Sequence, residues 1–235
     1  MILVLPCCGV DAPLMLRNLE WQASLGKDAP YHALIAYDST VSEHWRNLLI
    51  AAAVQHYPVV HNFKYAPPPP GYWPPNRAFH ETARHVAKFK EPWLWLEADA
   101  IPLRTGWLQQ IDLEYRRAGK AFMGSVVPDF GHMNGVGVYP ANTPERIPYA
   151  LNDTHTAWDA AMKREMIHDC HDCMPLIQHT WGFDEWGRAH PYKGSSITFK
   201  NREDFRWITP TAVVFHRNKD GTLLERLKEA RKVKK

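Results

Sequence analysis

The chain has 235 residues, 45% hydrophobic and 23% charged, with a formal net charge of +3 that leaves thirteen histidines uncounted. That is enough chain for one sizeable core, with the composition of an ordinary globular protein. So small a positive surplus excludes recognition that rests on a dense basic face alone. Four cysteines, as Cys7/Cys8 and Cys170/Cys173, do not have the spacing of a secreted disulfide framework. The opening MILVLPCCGV is a short apolar run without a basic n-region, so no signal peptide is expected. No apolar run reaches the length of a membrane span, and a cytoplasmic enzyme fits.

MILVLP predicts a buried strand, and APLMLRNLEWQASLG a helix with Leu14, Leu16, Leu19, Trp21 and Leu25 at helical spacing and a stop at Gly26. YHALIAYDST predicts a second strand that ends at Asp38. VSEHWRNLLIAAAVQHY predicts a helix capped by Ser42, and PVVHNFKY a third strand. The proline tract APPPPGYWPPN admits neither helix nor sheet and predicts a stiff loop; RAFHETARHVAKF then predicts a third helix. PWLWLEAD is an apolar strand that finishes on two acids, Glu97 and Asp99. Strand and helix alternate throughout this first part, the pattern of an α/β fold with a Rossmann-like, mostly parallel central sheet flanked by helices. Ligands of such sheets sit at the carboxyl ends of the strands. The strand is buried in order to carry its acids to that edge.

After Asp99 the rhythm changes. TGWLQQIDLEYRRAG predicts a helix, AFMGSVV and NGVGVYP strands around a PDFGH loop, AWDAAMKREMI a short helix begun near Thr154 or Thr156, and SITF and TAVVFH late strands. The tail ERLKEARKVKK reads as a solvated helix end with its cations near the C-terminal pole.

Glu-x-Asp after an apolar strand suits a hard divalent cation such as Mg²⁺ or Mn²⁺, which also takes phosphate oxygens. Two solvated acids at a strand end are the simpler alternative. TAVVFHRNKDG adds His216 as a further ligand and Lys219 as a point charge for phosphate, again at a predicted strand end.

In this order the parts resemble a nucleotide-sugar glycosyltransferase of the GT-A fold, over nearly the whole chain. The resemblance implies a single GT-A-like domain over 1–235, with a nucleotide-sugar-binding half at 1–105 and an acceptor-binding half at 106–235. It implies that Glu97-Ala98-Asp99 stands for the family's D-x-D motif. Asp99 and His216 would then ligate Mn²⁺ or Mg²⁺, with Glu97 on the metal through water or on the ribose. Pro6, Asp38, Asn76, Arg77, Glu97 and Lys219 would contact a nucleoside-diphosphate sugar, with a UDP-sugar as the expected donor. The departure is Glu for the first Asp, which makes Asp99 the firmer ligand.

GHMNGVGVYP follows the motif at the interval of a sugar-pocket loop, which would place His132, Asn134 and Gly135 against substrate; a tight hairpin explains the same glycines. Tyr72 and Trp73 could stack on a base or sugar. Asp159 stands at a helix start, where the dipole favours a carboxylate. It is also where such enzymes carry the general base of an inverting transfer, with Asp184 and Glu185 in WGFDEWGRA as rivals. HDCHDC offers His168, Cys170, His171 and Cys173 to zinc, with His179 or Cys7/Cys8 for the remainder; a polar loop is the simpler reading.

The acceptor is not written in the residues. A glycan, a lipid precursor, or a hydroxymethylated pyrimidine in DNA, as sugar-coated by small bacteriophage enzymes in the host cytoplasm, each fit the resemblance. A nucleotidyltransferase would want a Gly-rich phosphate loop, which LPCCGVDAP lacks. A non-catalytic nucleic-acid-binding module would want basic residues where this chain has acids.

Overall fold

The structure is a computed structural model that describes residues 1–26, 30–67, 71–127, 131–166, 168–179, 182–183, 189–190, 198–200 and 202–232. The chain begins with β1 (Ile2–Cys7), α1 (Ala12–Leu25), β2 (His32–Tyr37), α2 (Glu43–Ala53), β3 (Val59–Lys64), α3 (Pro74–Val86) and β4 (Trp93–Trp95). It continues through β5 (Ile101–Pro102), α4 (Trp107–Ala118), β6 (Phe122–Val127) and β7 (His132–Tyr139). Four short helices follow: α5 (Thr143–Arg146), α6 (Pro148–Asn152), α7 (Trp158–Ala161) and α8 (Lys163–Met166). The chain closes with β8 (Cys170–Asp172), β9 (Ile177–Gln178), β10 (Gly182–Phe183), β11 (Ala189–His190), β12 (Val214–Phe215) and α9 (Thr222–Lys232).

Seven strands form one sheet in the order β3-β2-β1-β4-β7-β6-β8. The pairs β3–β2, β2–β1, β1–β4 and β6–β8 are parallel, and β7 runs antiparallel to both its neighbours. Period-two alternation splits each central strand between two helix layers. Leu3, Leu5 and Leu94 pack with Leu19, Leu49 and Leu223 on one face. Ile2, Val4, Trp93 and Trp95 pack with Phe79, Leu151 and Trp158 on the other. Both faces are dry, which is why these strands are apolar throughout rather than alternating in sequence. The order reverses between β1 and β4: the chain steps outward from β1 to β3, then crosses back through α3 to the far side of β1. That reversal opens a crevice at the carboxyl ends of β1 and β4.

The expected alternation of strands and helices is present, and several elements are shorter than the sequence suggests. The second helix stops at Ala53, because the amides of His56 and Tyr57 both turn back to the Ala53 carbonyl and Pro58 follows. Ser42 caps its start, accepting from the Trp45 amide at 3.3 Å. The helix expected over AWDAAMKREMI is two single turns, α7 and α8. Of TAVVFH only Val214 and Phe215 pair, since the Ala212 amide is drawn into a turn with the Thr209 carbonyl. Thr198 and Phe199 of the expected strand SITF bond the start of α9 instead, through Asp220 and Thr222. Among the described residues no helix is long and apolar enough to cross a membrane.

Candidate functional site

Glu97 and Asp99 lie on a turn closed by the Ala100 amide on the Glu97 carbonyl, one residue past the Leu96 amide's bond to β1. The turn is clamped from beneath. The buried Asn18 amide of α1 donates to the carbonyls of Ala98 (3.2 Å) and Ala100 (2.9 Å), while its oxygen accepts from Gln22 at 3.1 Å. Tyr57 donates to Gln22 in turn. These polar residues sit one turn apart on the otherwise apolar face of α1, which is the sequence signal for them: a buried amide there must find partners.

His216 arrives from 119 residues along the chain. β12 pairs antiparallel with β5 (Phe215↔Ile101) and parallel with β9 (Phe215↔Gln178). The His216 amide then donates to the Gln178 carbonyl at 2.8 Å and the Asn218 amide to the Asp99 carbonyl at 3.2 Å. His216 Nε2 consequently lies 3.2 Å from Glu97 Oε2 and 3.3 Å from Asp99 Oδ1. One ligand atom from each of the three falls within 4.8 Å of the others, the one such grouping among the described residues.

Burial acts to raise Asp99, but the cations of His216, Lys219 and Arg217 outweigh it and hold the carboxyl below its usual range. Burial likewise acts to lower His216, and the Asp99 and Glu97 carboxylates overcome it, pushing the imidazole up to about 9. Asp99 Oδ2 is buried and has no hydrogen-bond partner. A buried carboxylate oxygen without a donor is costly unless a cation completes it. Two carboxylates and one imidazole are a donor set for a divalent cation, the carboxylates suiting Mg²⁺ or Mn²⁺ and the imidazole a transition metal.

A cleft of about 500 Å³ borders the cluster, lined by Pro6, Cys8, Asp38, Tyr65, Glu97 and Lys219 among others. It occupies the crevice at the strand-order reversal.

No protein-family model and no curated protein matches this sequence. Solved structures do match it in shape. The galactosyltransferase LgtC, in complex with donor and acceptor sugar analogues, aligns over 97% of this chain and 94% of its own at 13% identity, with a TM-score of 0.56. An active-site mutant of LgtC gives a TM-score of 0.59 at 12% identity over the same shares. Mouse xyloside xylosyltransferase 1 aligns over 92% of this chain and 97% of its own, at 9% identity and a TM-score of 0.54. Mannosyltransferase PcManGT from Pyrobaculum calidifontis, in complex with GDP-Man and Mn²⁺, covers 69% of this chain and 50% of its own, at 14% identity and a TM-score of 0.50. The fold is GT-A.

Within this GT-A fold, Asn134 of β7 stands behind the cluster. Its Oδ1 accepts from the Val136 amide at 3.2 Å, so the side-chain orientation is fixed, and the same oxygen faces His216 Nδ1 at 2.9 Å. An acceptor there requires a proton on Nδ1, which leaves Nε2 as the nitrogen that faces the carboxylates. Nothing in the local sequence signals this partnership of residues 82 apart. Gly135 lets Trp158 close on the strand: a Cβ there would meet Trp158 Cζ2 at 2.8 Å and Glu97 Oε1 at 3.3 Å. Trp158 stacks on Phe79 at 3.7 Å between ring centroids, and Trp95 Nε1 donates to Glu97 Oε1 at 3.4 Å.

Asp159 is half-buried beside this group. Burial raises its carboxyl, the Glu97 charge adds to the rise, and His132 opposes it. His132 opens β7 rather than sitting in a loop, with Nδ1 donating to the Met133 carbonyl at 3.0 Å. Asp38 lines the cleft and accepts from the Thr40 amide at 2.9 Å.

The expected donor contacts on α3 lie differently. Asn76 is fully buried, with its amide donating to the carbonyls of Asp153 and Thr156 and accepting from the Trp158 amide. Its polar capacity is therefore spent on the 153–158 segment. Arg77 pairs with Glu81 at 3.1 Å, and Pro74, Pro75 and Ala78 are the α3 residues that face the cleft. Tyr72 bonds His80 Nδ1 at 2.6 Å, and Trp73 is 46% exposed at the start of α3. Asp184 and Glu185 lie outside the described residues.

In HDCHDC, Cys170 to Asp172 form an edge strand, Cys173 is buried, and His171 Nε2 donates to Glu114 at 2.8 Å. His179 accepts instead from Arg217, and Cys8 donates to Asp11. These side chains do not gather into a ligand cluster among the described residues.

Proposed function

We propose that this protein is a metal-dependent glycosyltransferase that moves a sugar from a nucleoside-diphosphate sugar to an acceptor hydroxyl. The observation that carries the reading is the buried, partnerless Asp99 Oδ2, gathered with Glu97 and His216 at the mouth of the switch-point cleft. A likeness of shape to galactosyl-, xylosyl- and mannosyltransferases supports it, and one of these was captured with GDP-Man and Mn²⁺.

In this proposal Asp99, His216 and Glu97 hold Mn²⁺ or Mg²⁺. When bound, that ion neutralises charge on the diphosphate as it leaves. The 1–105 half, through Pro6, Asp38 and Tyr65, holds the nucleotide, and Lys219 supplies positive charge at the cleft. The 106–235 half receives the acceptor. Asp159, whose proton affinity is raised by burial, takes the acceptor proton if the transfer inverts configuration, with Asp184 and Glu185 as alternatives. The acceptor remains a hydroxyl-bearing molecule. A nucleic-acid acceptor gains no support from the matched structures, which are galactosyl-, xylosyl- and mannosyltransferases.

A thermal-shift series with UDP-, GDP- and other nucleotide sugars, with and without Mn²⁺, tests the reading. One donor class should raise the melting temperature only when Mn²⁺ is present, and Asp99→Ala should remove that response. Equal shifts without Mn²⁺, or none with any donor, would refute it.

A further inference from the structure

We propose that Arg217 binds an oxyanion of the substrate beside the metal cluster, that His179 is its positioning residue, and that the oxyanion belongs to the donor diphosphate. The inference deepens the glycosyltransferase reading and rests on it.

The backbone supplies the first argument. Arg217 has φ +83°, in the left-handed region that disfavours any residue with a Cβ. Its neighbours impose this, because the His216 amide is tied to the Gln178 carbonyl and the Asn218 amide to the Asp99 carbonyl. Glycine would adopt that conformation without strain. An arginine held there instead points to a use for its side chain.

The second argument is the partner. Arg217 Nε donates to His179 Nε2 at 3.0 Å. A nitrogen that accepts must offer a lone pair, so this imidazole is neutral. Arg46, Arg77, Arg116 and Arg117 are matched to carboxylates, whereas Arg104 meets the Pro210 carbonyl and Arg231 the Ser24 hydroxyl. Among the described residues Arg217 has no ion pair and no partner on its Nη groups. It is oriented without being neutralised, and half-buried, the state in which a guanidinium fork recognises phosphate in two-point fashion.

The third argument is position. Arg217 directly follows His216, its field is felt at Asp99, and Lys219 two residues on lines the cleft. His179 itself meets His216 edge-on at 5.1 Å between ring centroids. Arg217 therefore stands on the same turn that completes the cluster, between His216 and the cleft-lining Lys219.

The test is calorimetric titration of inorganic pyrophosphate in the presence of Mn²⁺, with Mn²⁺ alone as control, on the parent chain, Arg217→Gly and Arg217→Lys. Arg217→Gly relieves the strained φ and should melt no lower than the parent, bind Mn²⁺ alone equally, and lose roughly ten- to a hundredfold in pyrophosphate affinity. Arg217→Lys keeps charge and strain but loses the fork, and should fall between the two. Pyrophosphate affinity within twofold of the parent in both variants overturns the proposal. So does a loss of Mn²⁺ affinity in step with it, which would mark a structural role. A parent chain that binds Mn²⁺ but no pyrophosphate would instead overturn the glycosyltransferase reading itself.

Discussion

The two halves of the molecule reach the same cleft by different means. In the N-terminal half β1 and β2 pair over six residues, and Pro6, Asp38 and Glu97 ride on or just past strand ends sunk in a continuous core. In the C-terminal half β12 pairs over two residues with each neighbour, and His216 is set by a few directional bonds: its own amide on Gln178, the Asn218 amide on Asp99, and Asn134 behind its ring. Burial spread over many side chains tolerates single losses and registers them as stability. A handful of hydrogen bonds does not, and registers them as chemistry. Substitutions in the apolar core of the first half should therefore lower the melting point with the cluster intact, and those in the cluster and its hydrogen-bonded supports should disturb the site more than the melting point.

Asp99→Ala should have the largest effect, lowering Mn²⁺-dependent turnover of a nucleotide sugar by roughly 10³-fold, the scale of losing a charge-stabilising group at a reacting centre; steady-state kinetics beside an unchanged circular dichroism spectrum would check it. Leu49→Ala, in the fully buried seam between α2 and the sheet, should cost about 3 kcal/mol in denaturant unfolding and leave Mn²⁺ affinity alone. If Leu49→Ala weakened the metal site, the contrast between the halves would break.

The contrast extends to pH. Burial, aided by the charges of Arg84 and Arg77, lowers His80 of α3 to about 4. Its contribution to stability is present above pH 6.5 and is lost as pH falls through 4, at roughly 1.4 kcal/mol per unit. His216, raised to about 9, contributes in the opposite sense without metal: fully below pH 6.5, and lost as pH rises through 9. Urea unfolding of metal-free protein across pH 4 to 9 should show His80→Gln flattening the acid limb and His216→Gln the alkaline one. The same limb flattened by both would contradict the assignment.

Asn134→Ala should weaken Mn²⁺ by roughly ten- to a hundredfold, the usual effect of removing the group that orients a metal-binding histidine, with little change in unfolding. Ser42→Ala, which removes the cap of α2, should be the smallest, at about 1 kcal/mol of stability and no effect on turnover.

How much of this was legible follows the same division. Continuous apolar runs in β1, β2 and β4, the Ser42 cap and the Gly26 stop are written in local periodicity and turn chemistry, so the parallel order could be read directly. The acids of WLWLEAD stand out as two charges directly after an apolar strand, and it is their order with His216 and Lys219 that points to a site. The late elements were overestimated because β-branched residues such as Val213 and Thr198 look alike whether they join a ladder or are tied elsewhere by the Leu176 carbonyl and Asp220. The orientation of Asn76 is not written locally either: an amide on that helix can face the cleft or the 153–158 segment, and here it bonds the latter. Arg217 and Asn134 act through partners 38 and 82 residues away, beyond the reach of any local pattern.

The closeness of His216 to both acids has a kinetic consequence. An imidazolium wedged between two carboxylates is a resident cation that keeps like charges from splaying the loop apart. A divalent ion that enters trades places with a proton on a scaffold already in shape. On the proposed reading, loading and unloading should then be quick and reversible, and protein stripped by a chelator should recover Mn²⁺-dependent turnover on simple readdition, with no refolding delay.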